Sequence, residues 1–405
     1  MSSRRFELLL KFLHLNDSQK QPARGEPGYD KLYKVRPLLD AAVKNFQSSY
    51  IPTENLSIDE SMIGFKGRLA FLQYMPKKPQ KWGIKAWVFA DAANGYVWNW
   101  DLYTGKDDVS NPNLGLAHRV VMNLLDDDRL RKKGYRIFMD NFYSSPGLFR
   151  DLQEEGFEAC GTLRSNRRGI PDDLKSAKLR IGESHFTRDD DLLFMKWRDK
   201  REVMMLSTFH DDTFIEKRRR TCLAQDRVER IEKPAVVEEY NMHMGGVDKG
   251  KMCVITMTYN LHAVFTSADQ MVLYYGFAHR SVKWWKRVFF HIIDTAIVNA
   301  HILYNATSDT KPTQLDFRRA VAEGLLDGYE AAKARRRSQD PQLPLRLKER
   351  PFPEPVPDGG RPDCKVCSDR ATGNRHQTKY RCKVCKTPLC IYPCFEKYHT
   401  LINSK

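Results

Sequence analysis

The spacing of apolar positions changes several times along the chain, and each change predicts a different kind of element. Residues 4–15 and 36–50 carry apolar side chains at helical spacing, so both are predicted to be amphipathic helices. In the second segment the apolar stripe consists of Leu38, Leu39, Ala42, Val43 and Phe46.

Short extended segments alternate with helices between residues 55 and 163. The predicted strands are 55–62, 84–90, 96–103, 135–140 and 158–163. Helices are predicted at 116–125 and from Pro146, which follows the capping Ser145, to Gly156. The resulting order, β-β-β-α-β-α-β, predicts an α/β core. Its later strands need crossover connections and should therefore pair in parallel.

The second half of the chain is less uniform. Residues 165–235 are polar with runs of charge, which leaves two alternatives, a small β-rich insertion or a partly disordered segment. A strong helix is predicted over 281–305 and a proline-rich linker over 339–361. The apolar side of that helix is predicted to consist of Trp285, Val288, Phe289, Ile292, Ile293, Ala296 and Ile297.

Composition narrows the classes of partner. The chain has a formal net charge of +16. Such a surplus favours a polyanionic partner, because a protein that neutralises phosphates releases their counterions. A basic protein without a polyanion is the alternative. No apolar run approaches the roughly 18 residues of a membrane span, and the N-terminal segment has no small-residue cleavage site, so neither a span nor a secretory signal is predicted.

Cysteines and histidines in the last part of the chain are spaced like metal ligands. Six of the nine cysteines follow residue 363, in two CxxC pairs and one CxxxC pair. The eight candidate ligands are Cys364, Cys367, His376, Cys382, Cys385, Cys390, Cys394 and His399. Thiolates and imidazoles suit tetrahedral zinc, so two structural Zn²⁺ ions are predicted, and the small module should need them to fold. Free buried thiols are the alternative for the cysteines, and a surface position is the alternative for His376.

Three aspartates stand out by their position in the predicted elements. Asp59 lies within the first core strand, Asp140 ends the fourth, and Asp248 follows the sequence MGGV. Carboxylates held by one rigid sheet can bind two divalent cations, and Mg²⁺ suits such oxygen ligands together with phosphate oxygens. This arrangement predicts phosphoryl transfer at a phosphodiester. The alternative for each aspartate alone is a turn or helix-capping role.

Several longer blocks carry a resemblance to a known family. The sequences SIDESMIGFKGR, FMDNFYSSPGLF, GTLRSNRRGIP and MGGVDK, together with KWWKRVFFHIIDTAIVNAHILY, resemble the piggyBac transposase family. The resemblance implies an α/β, RNase H-like catalytic core with an aspartate triad at Asp59, Asp140 and Asp248, holding two Mg²⁺ ions. It also implies a nuclear homodimer that binds double-stranded DNA at transposon ends and cuts and joins it at TTAA sites.

The same resemblance implies further DNA contacts. Arg164 and Arg167 match basic residues that lie near DNA in the family, although two arginines in a loop can also form a solvated face. Of Trp284 and Trp285, one is expected to pack in the core and only the other, assigned as Trp284, to touch DNA. The cysteine-rich module is expected to bind the terminal repeats.

The sequence departs from the family pattern after Asp248. Removing residues 250–267 would restore the family sequence GGVDKADQ, in which a fourth acid, here Asp269, follows the third at i+3. The extra segment is interpreted as a retained intron or a true insertion, and the first helical region is shorter than in relatives. Both features leave a second hypothesis open, a domesticated DNA-binding protein without catalysis.

The predicted domains follow from these features. They are a helical part of the dimerisation and DNA-binding domain (1–53), the RNase H-like core (54–164), an insertion domain (165–235), a core helix with the third aspartate (236–271), a second helical part (272–338), the linker (339–361) and the zinc domain (362–405).

Overall fold

The structure is a computed structural model that describes residues 2–76, 78, 80–105, 114–220, 228–244, 272, 275–277, 281–338, 351–369 and 371–401. Within these ranges the side chains of 218–220, 228–229 and 328–338 are not described. The chain divides into two compact units, Met1–Arg318 and Arg319–Lys405.

The described helices are α1 (Ser3–Phe12), α2 (Arg36–Ser49), α3 (Leu116–Leu124), α4 (Pro146–Glu154), α5 (Asp172–Ser176), α6 (Ala235–His243), α7 (Trp284–Thr307), α8 (Gln314–Ser338) and α9 (Cys394–Thr400). The described strands are β1 (Asn55–Gly64), β2 (Gln73–Tyr74), β3 (Trp82–Asp91), β4 (Val97–Leu102), β5 (Arg136–Met139), β6 (Glu158–Thr162), β7 (Ser184–Asp189), β8 (Leu192–Arg198), β9 (Glu202–Ser207), β10 (Phe214–Arg220), β11 (Val228–Pro234), β12 (Pro353–Pro355) and β13 (Tyr380–Cys382).

One large mixed sheet organises the first unit. Its strands run in the order β2-β3-β1-β5-β6-β9-β8-β7, and β4 also pairs with β3. The pairs β1–β5 and β5–β6 are parallel, and each of the two connections that lead into β5 and β6 contains a helix. The α/β class and the parallel pairing of the later core strands, both predicted from the crossovers, are therefore confirmed.

Both faces of this sheet are covered. A large apolar cluster includes Leu39 of α2, Val121 of α3, Phe149 of α4 and Val288 of α7. A smaller cluster joins Val236, Val237 and Met244, at and beside α6, to Phe138 and Met205 of the sheet. Because side chains alternate along a strand, neighbouring residues of β5 serve different clusters, and Ile137 and Met139 belong to the larger one.

The polar 165–235 segment contributes three strands to the main sheet, since β9 pairs with β6 and then with β8. Of the two alternatives for this segment, its described residues take the β-rich one. Among the described residues of this segment, β10 and β11 form a separate two-stranded ribbon. The segment therefore extends the core sheet instead of standing wholly apart from it.

The side of the long helix α7 that is buried differs from the apolar side predicted from the sequence. Ile293, predicted to pack, is 38% exposed, whereas Asp294 and Asn299 are buried. Partners far along the chain explain this difference. Asp294 binds Arg318 at 2.9 Å, and the Asn299 amide exchanges two hydrogen bonds with the backbone of Val97 at 3.0 and 2.8 Å.

The second unit contains the short β12–β13 ribbon, α9 and a small core around Cys364, Leu389 and Cys394. Among the described residues, no helix combines the length and the apolar character needed to cross a lipid bilayer.

Candidate active site and metal centres

Asp59 and Asp140 lie side by side on neighbouring parallel strands. Ile58 of β1 pairs with Met139 of β5, so the residue after each of them stands at the same level of the sheet. Asp59 is inside β1, whereas Asp140 is the first residue beyond β5. The parallel β1–β5 pairing thus brings together two of the three aspartates predicted from the sequence.

Both carboxylates point to the face that α6 covers. Phe138 of β5 packs in the α6 cluster, and Asp140, two residues later, follows the same side of the strand. Asp59 lies on the matching side of β1, because Ile58 and Leu56 pack in the opposite cluster. Tyr240 of α6 lies close enough to both aspartates for their charges to raise its pKa, after burial, which contributes most.

Burial makes the ionised form of both carboxyl groups unfavourable. It raises the pKa of Asp59 well above its usual range, the charge of Lys78 lowers it in part, and the charge of Glu60 raises it further. Burial also raises the pKa of Asp140. The backbone N–H of Phe142, which donates to Oδ1 of Asp140 at 2.6 Å, lowers that pKa in part. Two hard oxygen donors in need of positive charge fit a divalent cation.

The turn after Asp140 is held by the two arginines predicted to contact DNA. Arg164 donates to the side-chain oxygen of Asn141 at 2.8 Å, and Arg167 donates to the backbone carbonyls of Asn141 and Phe142. The helix that follows is capped by Ser145, so the capping alternative for Asp140 does not apply to α4, whereas the turn alternative does, because Asp140 Oδ1 accepts the backbone N–H of Phe142 two residues later. Whether either arginine also contacts phosphate stays a prediction.

Close packing at Gly161 of β6 lets this turn approach the sheet. A Cβ atom at Gly161 would lie 2.6 Å from the carbonyl oxygen of Met139 and would collide with the Ser144 hydroxyl. A larger residue would therefore displace the turn that carries Asp140.

Sequence reasoning missed a charged group beside Asp59, formed by Glu60 and two lysines. Glu60 binds Lys85 at 2.9 Å, and Lys78 donates to the Glu60 carbonyl at 2.7 Å. The Lys85 ammonium lies 4.5 Å from the ring centroid of Phe142. Burial and the charges of Glu60 and the two aspartates raise the pKa of Tyr143. The sequence did contain a signal for this group, because Glu60 is a charged residue within the predicted core strand 55–62.

The remaining predicted residues of this unit differ in position. Trp285 is buried in the core, as expected for one of the two tryptophans. Trp284 packs edge-on against Phe71 with ring centroids 5.5 Å apart, and its contact with DNA stays a prediction. Asp248 and Asp269 lie outside the described residues. In sequence, Asp248 follows Met244, the residue after α6, by four positions.

In the second unit, seven of the eight candidate ligands form two interleaved groups. Cys364 and Cys367 meet Cys390 and Cys394, and the ligand atoms of this group lie within 4.8 Å of one another. The second group consists of Cys382, Cys385 and His399, whose ligand atoms also lie within 4.8 Å of one another. His376 is exposed and belongs to neither group among the described residues, which matches its alternative as a surface residue.

The chemistry of the first group fits zinc. Burial raises the pKa of Cys364, but the backbone N–H groups of Cys367, Cys390 and Val366 lower it to about 7. Burial and the neighbouring sulfurs raise the pKa of Cys390 to about 11. Four thiols converging at this distance repel one another as thiolates unless a cation binds between them.

Comparison with known proteins agrees with both parts of this description. A family model described as Transposase IS4 matches residues 1–301, and one described as DDE_Tnp_1-like zinc finger matches residues 357–400. The two matches place the chain in the DDE-type transposase family with a zinc-finger module, and membership of this family implies a divalent metal. The chain belongs to the Transposase IS4 family and, within it, is a piggyBac-type transposase or a domesticated derivative of one.

Curated relatives and one solved structure illustrate the similarity. Human piggyBac transposable element-derived protein 2 is 27% identical over 331 residues, covering 78% of this chain and 51% of the relative. Human piggyBac transposable element-derived protein 3 is 25% identical over 423 residues, covering 98% and 63%. The cryo-EM structure of the piggyBac transposase synaptic complex with hairpin DNA matches with a TM-score of 0.67 and 25% identity, covering 96% of this chain and 78% of that one. The chain thus spans between half and two thirds of these human relatives.

Proposed function

We propose that the protein binds the ends of a piggyBac-type element and cuts and joins DNA at TTAA sites by metal-dependent phosphoryl transfer. The observation that carries this proposal is the pair Asp59 and Asp140, level on adjacent parallel strands and facing α6. Asp248 follows α6 in the sequence and is proposed as the third carboxylate, with Asp269 as the fourth.

Each residue of the site has a proposed task. The carboxylates of Asp59, Asp140 and Asp248 would hold two Mg²⁺ ions, which would activate the attacking oxygen and stabilise the leaving oxygen. Arg164 and Arg167 orient the turn that carries Asp140 and are proposed to face the phosphate backbone. The rigid sheet keeps the two described carboxylates at a fixed separation, so little reorganisation accompanies metal binding.

The other proposals concern metal, partners and location. Two Zn²⁺ ions are proposed for the interleaved cysteine groups, and the module they stabilise is proposed to bind terminal repeats. The solved relative with hairpin DNA and the net charge of +16 support a double-stranded DNA partner. A homodimer and a nuclear location are proposed as well, the latter from the basic run at 333–337. Light scattering of the purified chain and imaging of a tagged copy test these two points.

The catalytic proposal is tested with supercoiled plasmid rich in TTAA sites. We expect Mg²⁺-dependent nicks that map to TTAA, and a loss of about 100-fold or more in Asp59→Ala, because a metal ligand is removed. Asp101→Ala, an exposed aspartate of β4 in the same sheet, is the matched control and should act within about twofold of wild type. Nicks that persist in Asp59→Ala would contradict the assignment.

A second function, DNA binding without catalysis, is favoured by one observation. Residues 250–267 separate Asp248 from Asp269 by 21 positions, so the two acids do not have helical i+3 spacing. The test compares the full chain with a variant lacking these 18 residues. Nicking by the deletion variant alone would assign the DNA-binding role to the full chain. Nicking by both would show that the segment is tolerated.

A further inference from the structure

A buried chain of polar groups links α6 to the end of β9. The hydroxyl of Ser207, at the end of β9, lies 2.7 Å from Nδ1 of His210, and Nε2 of His210 lies 2.9 Å from Glu239 of α6. Ser207 is fully buried and His210 is 6% exposed. A triad of this kind cannot receive a substrate, because its hydroxyl has no access to solvent, so its role must be structural.

The hydrogen bonds define the protonation state of the ring. The Ser207 oxygen accepts the backbone N–H groups of Phe209 and His210, both at 3.3 Å, so its own hydrogen is available to donate to Nδ1. Nε2–H then donates to the Glu239 carboxylate, which makes the imidazole neutral. Burial lowers the pKa of His210 and thus agrees with a neutral ring.

Charged groups from every neighbouring element surround the ring. Arg136 of β5 lies 3.8 Å from Glu239, and it also binds Glu158. Asp211 follows the ring in sequence, and Arg188 of β7 donates both to Asp211 and to the His210 carbonyl. The network therefore joins α6 to β5, β7 and β9 at once.

The helix needs such an anchor. It has nine residues, fewer than an isolated helix requires in water, and Pro234 at its N-cap offers no side-chain acceptor. Two consecutive glutamates hold it in different directions. Glu238 binds Lys217 and Lys233 of the β10–β11 ribbon, whereas Glu239 binds the main sheet through His210.

The position of α6 matters for the acidic site. Its Tyr240 lies near Asp59 and Asp140, and Met244, directly after its last residue, packs in the α6 cluster. In sequence, Asp248 follows Met244 by four positions. A shift of α6 would therefore move Tyr240 relative to the carboxylates of Asp59 and Asp140.

We propose that Ser207, His210 and Glu239 form a positioning device that fixes α6 to β9 of the sheet and thereby holds the helix beside Asp59 and Asp140. The catalytic consequence rests on the proposed function, whereas the anchoring of α6 does not. Glu239 is a positioning residue, since it acts through the helix.

The test measures α6 directly and catalysis separately, with the full chain. Amide hydrogen exchange over residues 235–244 is compared in wild type, Glu239→Ala, Glu239→Gln and the control Asn241→Ala, a change at an exposed residue of the same helix. We expect Glu239→Ala to accelerate α6 exchange about tenfold or more without affecting β1 and β5, and Glu239→Gln, whose carbonyl still accepts from Nε2–H, to remain within about threefold of wild type. Ser207→Ala, a smaller change, provides the same readout if Glu239→Ala does not fold.

The Mg²⁺ dependence of plasmid nicking gives the second readout. The Mg²⁺ concentration for half-maximal rate should rise about tenfold in Glu239→Ala and stay within about threefold in Glu239→Gln and Asn241→Ala. Unchanged α6 exchange in Glu239→Ala, or equal effects of Asn241→Ala and Glu239→Ala, would overturn the proposal. If wild type does not nick DNA, the proposed function fails, but the exchange data still decide whether the anchor exists.

Discussion

The same substitution at two buried aspartates of adjacent strands should change stability in opposite directions. Asp59 of β1 and Asp91 of β3 are 7% and 1% exposed. Asp91 accepts four hydrogen bonds, from the Tyr50 hydroxyl at 2.9 Å, the Thr53 backbone and hydroxyl at 2.6 and 2.9 Å, and the backbone of Ala93 at 2.8 Å. It is therefore a structural carboxylate that joins the segment after α2 to the β3–β4 turn.

The magnitudes follow from these contacts. In Asp91→Asn one oxygen becomes an amide that faces two donors, so two charge-assisted hydrogen bonds are lost and the free energy of unfolding should fall by about 3–5 kcal/mol. At Asp59 the folded-state pKa is raised, so the carboxyl group destabilises the fold as the pH rises above its ordinary, unfolded-state pKa, and the penalty is complete above the folded-state pKa. Asp59→Asn removes this penalty and should stabilise the metal-free protein at pH 7 by about 0.5–2 kcal/mol.

Urea unfolding followed by tryptophan fluorescence in EDTA measures both variants. All seven tryptophans, Trp82, Trp87, Trp98, Trp100, Trp197, Trp284 and Trp285, belong to the first unit, so loss of zinc from the second does not enter the signal. In a parallel titration without EDTA, Mg²⁺ at about ten times its Kd should stabilise wild type by about 1.4 kcal/mol and leave Asp59→Asn unchanged. If Asp59→Asn destabilises the metal-free protein as much as Asp91→Asn, the reasoning about the acidic site is refuted.

Three further predictions concern the rest of the molecule. Chelation of zinc, or Cys364→Ser, should abolish amide chemical-shift dispersion over 351–401, and retained dispersion would contradict a metal-dependent fold. Asn299→Leu should lower the free energy of unfolding by about 3 kcal/mol in urea titrations, because the buried N–H and C=O of Val97 lose their partners. Burial and Arg287 lower the pKa of His291 to about 4, so wild type should lose about 3 kcal/mol between pH 6.5 and 4 that His291→Phe does not lose; equal pH profiles would refute this.

The sequence was a good guide where chemistry and periodicity act locally. The crossover connections predicted the parallel pairing of the later core strands, and the family resemblance implied that Asp59 and Asp140 share one site, which the β1–β5 register brings to one level of the sheet. The spacing of the cysteines likewise predicted that they are metal ligands. The spacing did not reveal which pairs combine, since the first CxxC pair meets the last cysteines across the second pair.

Other features depend on contacts that are remote in sequence. Ile293 faces solvent because Asp294 and Asn299 find partners at Arg318 and Val97, and no local pattern encodes those partners. The strand β8 was overlooked because the charges around it dominate the composition of 165–235, although six consecutive residues from Leu192 to Trp197 are buried. The nearly continuous apolar run from Leu192 to Trp197 was the signal in the sequence, since such runs are typical of strands that are buried on both faces.

Adjacent residues of β1 have two different roles in the acidic site. Asp59 lies near Tyr240 of α6, and burial raises the pKa of its carboxyl group, whereas Glu60, which lies against that carboxyl group, is paired with Lys85. That pair also supports the turn after Asp140, since Lys85 lies against the ring of Phe142. Removing one partner of a buried ion pair leaves an uncompensated charge, so a change at Glu60 acts on folding and on the charge around Asp140, whereas a change at Asp59 acts mainly on metal binding. Glu60 and Lys85 therefore support the two aspartates, and the aspartates are the carboxylates proposed to bind metal.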